Sequence, residues 1–147
     1  MLTGEIRNKV DQIWNAFWSG GVSNPLSVIE QITYLLFIKR LDDLHTLEES
    51  KAETLGLEME RRIFPEGNDD KGRAYEDMRW SRFKNFEARE MMEVVDEHVF
   101  PFLRQLGEEG SSCGKHMRDA RLGFSSPSLL SKVVEMLDQI PMDDRDT

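Results

Sequence analysis

Tyr34-Leu35-Leu36-Phe37-Ile38-Lys39-Arg40-Leu41-Asp42-Asp43 is the stretch whose reading decides the fold. Its run of apolar and aromatic residues, Tyr34 to Ile38, covers nearly every side of a helix, and such a helix has to be surrounded by protein. Leu41, Leu44 and Leu47 prolong one stripe of it. Lys39 and Asp43 stand four residues apart, a spacing that suits a surface pair worth only ~0.3–0.5 kcal/mol. Upstream, Asn24-Pro25 supplies a start: Asn caps free N–H groups, and proline at the first helical position has no N–H to lose. Downstream, Leu55-Gly56 supplies an end, with a break near Thr46 as the alternative.

The same periodicity recurs on both sides. Leu2, Ile6, Val10, Ile13, Trp14 and Phe17 share one helix face, which Ser19-Gly20-Gly21 terminates. From Arg61 to Gly72 the turn formers Pro65, Gly67, Asn68, Asp69, Asp70 and Gly72 predict a loop, expected to be mobile over 65–73. Tyr75, Trp80, Phe83 and Phe86 follow without a clear period and read as short helical turns packed on the core. Glu87 opens a helix with Met91, Val94, Val95, Val99, Phe102, Leu103 and Leu106 inward, and Pro101 predicts a kink or restart. Gly107 to Gly114 reads as a polar loop, and His116–Leu122 as a short helix. Ser126-Pro127 repeats the cap-plus-proline start, and Leu129, Leu130, Val133, Val134, Leu137 and Ile140 form a stripe ending at Pro141. No strand alternation, internal repeat or strand–helix–strand pattern is legible. The expectation is an all-α, irregular bundle of about five helices around a central apolar helix, without a significant sheet. It occupies 1–142, and 143–147 reads as the start of a linker.

Composition narrows the class. Hydrophobic residues make up 39% and charged residues 32%, a globular balance rather than a disordered one. No apolar run approaches the ~18–20 residues that span a bilayer, and Met1-Leu2-Thr3-Gly4-Glu5 lacks the pattern of a secretory signal. The single Cys113 allows no internal disulfide, which fits a cytoplasmic location. The net charge of −9 is wrong for an isolated duplex-DNA binder. Two basic clusters nevertheless interrupt the acidic background: Arg79, Arg82, Lys84 and Arg89, then Lys115, Arg118 and Arg121. Solvated surface is the ordinary use of such residues. Contact with DNA or an acidic partner in a larger assembly is the alternative, and Arg79, Trp80, Arg82, Lys84, Lys115, Arg118 and Arg121 are the candidates for it. Trp80 has two uses open to it, stacking on a base or partner, and wedging between helices, the commoner fate of such a ring.

Candidate chemistry is sparse. A methyl-donor or nucleotide pocket on an α/β sheet needs a strand, a glycine-rich turn and a helix, and no such unit occurs. Gly20-Gly21 lies between two helices, and Cys113-Gly114-Lys115 lacks the rest of a phosphate loop. Asn24-Pro25 shares two residues with the Asn-Pro-Pro-aromatic motif of amino-methyltransferases, but Leu26 and Ser27 follow, so it reads as a helix cap. His45, His98 and His116 are scattered, and Asp96-Glu97-His98 splits its side chains between faces. Asp69-Asp70 lacks the alternating acids of a calcium loop. Cys113 with His116 is a weak nucleophile–base pair in a polar loop. Neither a catalytic residue nor a metal ligand is expected in this chain.

Four segments taken in order carry a resemblance: Ile13-Trp14-Asn15-Ala16, Tyr34 to Asp43, Arg79-Trp80-Ser81-Arg82-Phe83, and Leu129-Leu130-Ser131-Lys132-Val133-Val134. Together they resemble the helical N-terminal domain of the modification subunit of type I restriction-modification systems, over essentially the whole chain. The resemblance implies a parent enzyme that methylates the exocyclic amino group of adenine in DNA with S-adenosylmethionine. It also implies assembly with a specificity subunit, a second modification subunit and a restriction subunit, in a complex that closes around DNA. The catalytic α/β domain of that family is expected to be absent here, so no cofactor is expected in this chain and no catalytic residue carries over. Two rivals remain: a free-standing acidic adaptor or DNA mimic, motivated by the charge of −9, and a small helical enzyme, for which no convergent acid, base and nucleophile is proposed.

Overall fold

The computed structural model describes residues 4–59, 62–108 and 117–140. It is all-α. Helix α1 spans Gly4–Ser19, α2 Pro25–Leu55, α3 Trp80–Phe83, α4 Ala88–Val94, α5 Phe100–Glu108 and α6 Pro127–Asp138. A 3-10 turn, Tyr75–Met78, precedes α3, and a π turn, Val95–Val99, joins α4 to α5 in one continuous helix. The only β pairing among the described residues is an isolated bridge between Asn68 and Ala74.

Local chemistry explains the boundaries. Asn24 Oδ1 accepts from Leu26 N at 2.9 Å, and Pro25 opens α2. Gly56 closes it at φ 68°, a left-handed conformation that side-chain-bearing residues adopt at a cost. Ser126 Oγ accepts from Leu129 N at 3.2 Å to start α6. At Pro101 the expected kink takes the form of the π turn. Phe100 N reaches back five residues to Val95 O, and proline has no N–H to continue the ladder. Lys71 Nζ donates to the Glu97 carbonyl of the same turn at 3.3 Å.

Helix α6 packs against α1 and α4, and α3 sits on α2. The core joins Ile13 and Phe17 of α1 to Leu130, Val133, Val134 and Leu137 of α6, and to Met91, Val94, Val95, Phe100 and Leu103 of the 88–108 helix. Of the apolar run in α2, Leu35 and Ile38 are buried, whereas Tyr34, Leu36 and Phe37 are half-buried. The expected leucine stripe is displaced: Leu41 and Leu44 are half-buried and Leu47 is 50% exposed. The inward face of α2 instead carries Gln31, Lys39, Asp42 and His45 beside Val28, Leu35 and Ile38.

The dense turn formers build a cross-bonded hairpin. Asp69 N donates to Arg73 O at 2.8 Å, Tyr75 N to Gly67 O at 3.0 Å, and Asp69 Oδ1 accepts from Lys71 N and Arg73 N at 3.0 and 2.8 Å. The short helix expected over 116–122 is corrected in its described part: Met117–Asp119 is a turn and 120–126 is irregular. Gln31 holds that stretch through Nε2 to Arg121 O at 3.1 Å and Oε1 from Gly123 N at 2.9 Å. Leu2, Cys113, His116, Pro141 and the expected linker at 143–147 lie outside the described residues, as does the side chain of Ile6.

Candidate functional site

Arg79, drawn from the first basic cluster, is 6% exposed. Its Nε donates to Asp42 Oδ1 at 2.5 Å, its Nη1 to Glu76 Oε1 at 3.1 Å, and its Nη2 lies 2.9 Å from Thr46 Oγ1 and 3.0 Å from Glu49 Oε1. Asp42 Oδ2 also accepts from Ser81 N at 2.9 Å, so one carboxylate fastens both Arg79 and the start of α3 to α2. Burial opposes the Arg79 charge, but the hydrogen bonds to Asp42 and Glu49 outweigh it and raise its pKa further. Trp80 is 3% exposed; its Nε1 donates to Asp138 Oδ1 at 2.9 Å and its ring packs edge-on to Phe83. Both side chains are buried and already hold helices together: Trp80 is wedged in the core, the commoner of its two uses, and Arg79 is paired inside the fold. Arg82 and Lys84 remain exposed, but Arg82 lies 3.6 Å from Asp77 and Lys84 3.2 Å from Asp138.

Asp138 belongs to a second polar knot at the C-terminus of α6. Lys39 turns inward, not toward Asp43, and its ammonium donates to the carbonyls of Leu137 at 3.0 Å, Asp138 at 3.4 Å and Ile140 at 2.8 Å. A cation on the last carbonyls satisfies acceptors that a helix end leaves open and matches the helix dipole. Burial lowers the Lys39 pKa against the pull of Asp138 and Asp43. Burial also opposes the Asp138 charge, yet bonds from Trp80 and Lys84 hold its carboxyl below the ordinary range. Lys9 Nζ reaches Gln139 O at 3.2 Å. Four side chains from three parts of the chain thus fix where α6 ends.

The second basic cluster differs. Arg118 and Arg121 are exposed, and neither guanidinium pairs with a described residue. Lys115 lies outside the described residues. Beside Arg118, Met117 lines an open hollow with Leu26, Ile29 and Tyr34; Leu26 is 72% and Ile29 53% exposed. Sequence reasoning singled out the cations but not these apolar neighbours. It also passed over Asp42 and Asp138 and gave Lys39 to a surface pair with Asp43, although charged residues inside an apolar helical run were a signal of internal pairing.

Among the described residues no three His, Cys, Asp or Glu side chains converge to hold a metal ion. Nor do the described residues form a strand–turn–helix unit. No described helix is long and apolar enough to cross a membrane. The fold is that of a helical domain in which the buried Asp42, Arg79 and Lys39 tie helices together. The HsdM N-terminal domain family matches residues 6–137, and the chain belongs to that family, the N-terminal domain of the modification subunit of type I restriction-modification systems. No curated protein and no solved structure matches the chain.

Proposed function

We propose that the domain is a non-catalytic assembly and DNA-clamping element of a type I DNA adenine methyltransferase subunit. The full-length subunit would use S-adenosylmethionine to methylate the exocyclic amino group of adenine, and would join a specificity subunit, a second modification subunit and a restriction subunit in the cytoplasm. Family membership across residues 6–137 carries this reading. The surface supports it in the exposed Arg118 and Arg121, unpaired with any described residue, and in the exposed Leu26 and Ile29 of the hollow that Met117 also lines. Exposed apolar residues suit a contact with a partner, and exposed cations a contact with phosphates. Arg82 and Lys84 contribute less, because each already faces a carboxylate.

Calorimetry with S-adenosylmethionine tests the non-catalytic part of the proposal. The isolated chain is expected to give no binding heat, whereas tight binding would overturn it. Removing the domain from the full-length subunit tests the assembly part. Donor binding is expected to persist while retention of DNA by the assembled complex falls; unchanged retention would refute that role.

A further inference from the structure

The Asp69–His98 pair takes no part in anything above, and it opens onto a cleft. Asp69 spends Oδ1 on two backbone N–H groups and presents Oδ2 to His98 Nδ1 at 2.5 Å. Burial disfavours the charge on Asp69, but the bonds from His98, Arg73 and Lys71 lower its pKa, so it is a carboxylate and accepts only. The Nδ1 proton is therefore fixed, and in the neutral ring Nε2 carries the lone pair. His98 is 7% exposed, Nε2 has no hydrogen-bond partner among the described residues, and the ring lines a cleft of about 130 Å³. His98 itself lies within the π turn.

The rest of the cleft selects by charge. Asp69, Asp70 and Glu97 line it against one cation, Lys71, whose ammonium is already on the Glu97 carbonyl at 3.3 Å. Tyr75 and Phe102, with ring centroids 5.8 Å apart, supply aromatic surface beside the thioether of Met78. A ring nitrogen that accepts in the neutral imidazole, an excess of carboxylates and aromatic faces together favour a hydrogen-bond-donating cation. An anionic ligand would meet like charge, and the volume admits only the end of a chain.

We propose that this cleft binds the terminal guanidinium or ammonium group of an alkyl chain, with His98 Nε2 accepting a hydrogen bond from it. Two sources share that chemistry, a basic side chain of a protein segment and a free polyamine. The test is NMR of the imidazole nitrogens of the 147-residue chain at constant pH and ionic strength. The titrants are butylguanidinium, a short arginine peptide, spermidine and the neutral isostere butylurea. A saturable shift of His98 Nε2 is expected with the cations, with midpoints of about 1–10 mM, the scale of one small group. Tighter binding of the peptide supports a protein source and tighter binding of spermidine a free polyamine.

Because His98→Gln would disturb the hairpin, the companion variant is Gln105→Arg, at an exposed position on the cleft wall. Its tethered guanidinium is expected to weaken butylguanidinium binding about tenfold or more, a change of 1.4 kcal/mol or above. No saturable shift, an equal shift with butylurea, or undiminished binding by Gln105→Arg would overturn the proposal.

Discussion

Replacing Arg79 by methionine separates a structural cation from a presented one. The side chain is 7% exposed and Asp42, its nearest partner, 5%. Glu49 and Glu76, at 44% and 47%, are half in water and can resolvate. Asp42 cannot: without Arg79 it keeps only the bond from Ser81 N. Removing one member of a buried pair costs about 3–5 kcal/mol because the other charge is left uncompensated, and the bond from Ser81 points to the lower end, about 3 kcal/mol. In a chain of this size that lowers Tm by roughly 6–12 °C. Urea denaturation followed by circular dichroism measures it, provided the m-value is unchanged. Adding Asp42→Leu to Arg79→Met removes the stranded charge and is expected to recover most of the loss. Arg82→Met provides the contrast, since its exposed pair with Asp77 contributes about 0–1 kcal/mol. An Arg79→Met protein as stable as Arg82→Met, or a double variant no better than the single, would refute this reasoning.

Trp80→Phe keeps most of the ring but drops the bond to Asp138, and is expected to cost about 1–2 kcal/mol, against about 3–5 for Trp80→Ala, by the same urea assay. Lys39→Met strips the α6 carbonyls of their donor, and amide exchange in the last turn of α6 is expected to accelerate more than exchange in α1. Burial, reinforced by the Arg79 cation, holds the His45 imidazole below its ordinary 6.5. The unfolded chain therefore takes up that proton first on acidification. Stability due to neutral His45 is complete above about pH 6.5 and is lost as pH falls from there through the lowered native value. Subtracting the urea-derived stability–pH curve of His45→Gln isolates this term, and an identical slope in both proteins below pH 6.5 would exclude it.

The helical class was legible because it depends on periodicity and on caps that act within a few residues, as at Asn24-Pro25 and Ser126-Pro127. The rings between 75 and 86, though without a clear period, were legible as packed on the core because large apolar side chains have few alternatives. What escaped was long-range pairing. Nothing local tells Lys39 that its partners are carbonyls at 137–140 instead of Asp43, or Asp42 that Arg79 lies across the fold. The inward face of α2 was misread for that reason, since leucine spacing outweighed charged residues whose partners lay in other segments. His98 is an intermediate case. Pro101, three residues on, marked the irregular turn, but only the folded hairpin brings Asp69 to the ring.

DNA binding by the assembled modification–specificity complex, measured over a salt series with Arg118→Glu and Arg121→Glu introduced together, puts the proposed clamp at risk. If both guanidinium groups meet phosphates, affinity falls and the slope of log K against log salt shrinks by about 2, while S-adenosylmethionine binding in the same complex is unchanged. Identical affinity and slope in the altered and unaltered complexes would contradict a DNA-facing role for this surface.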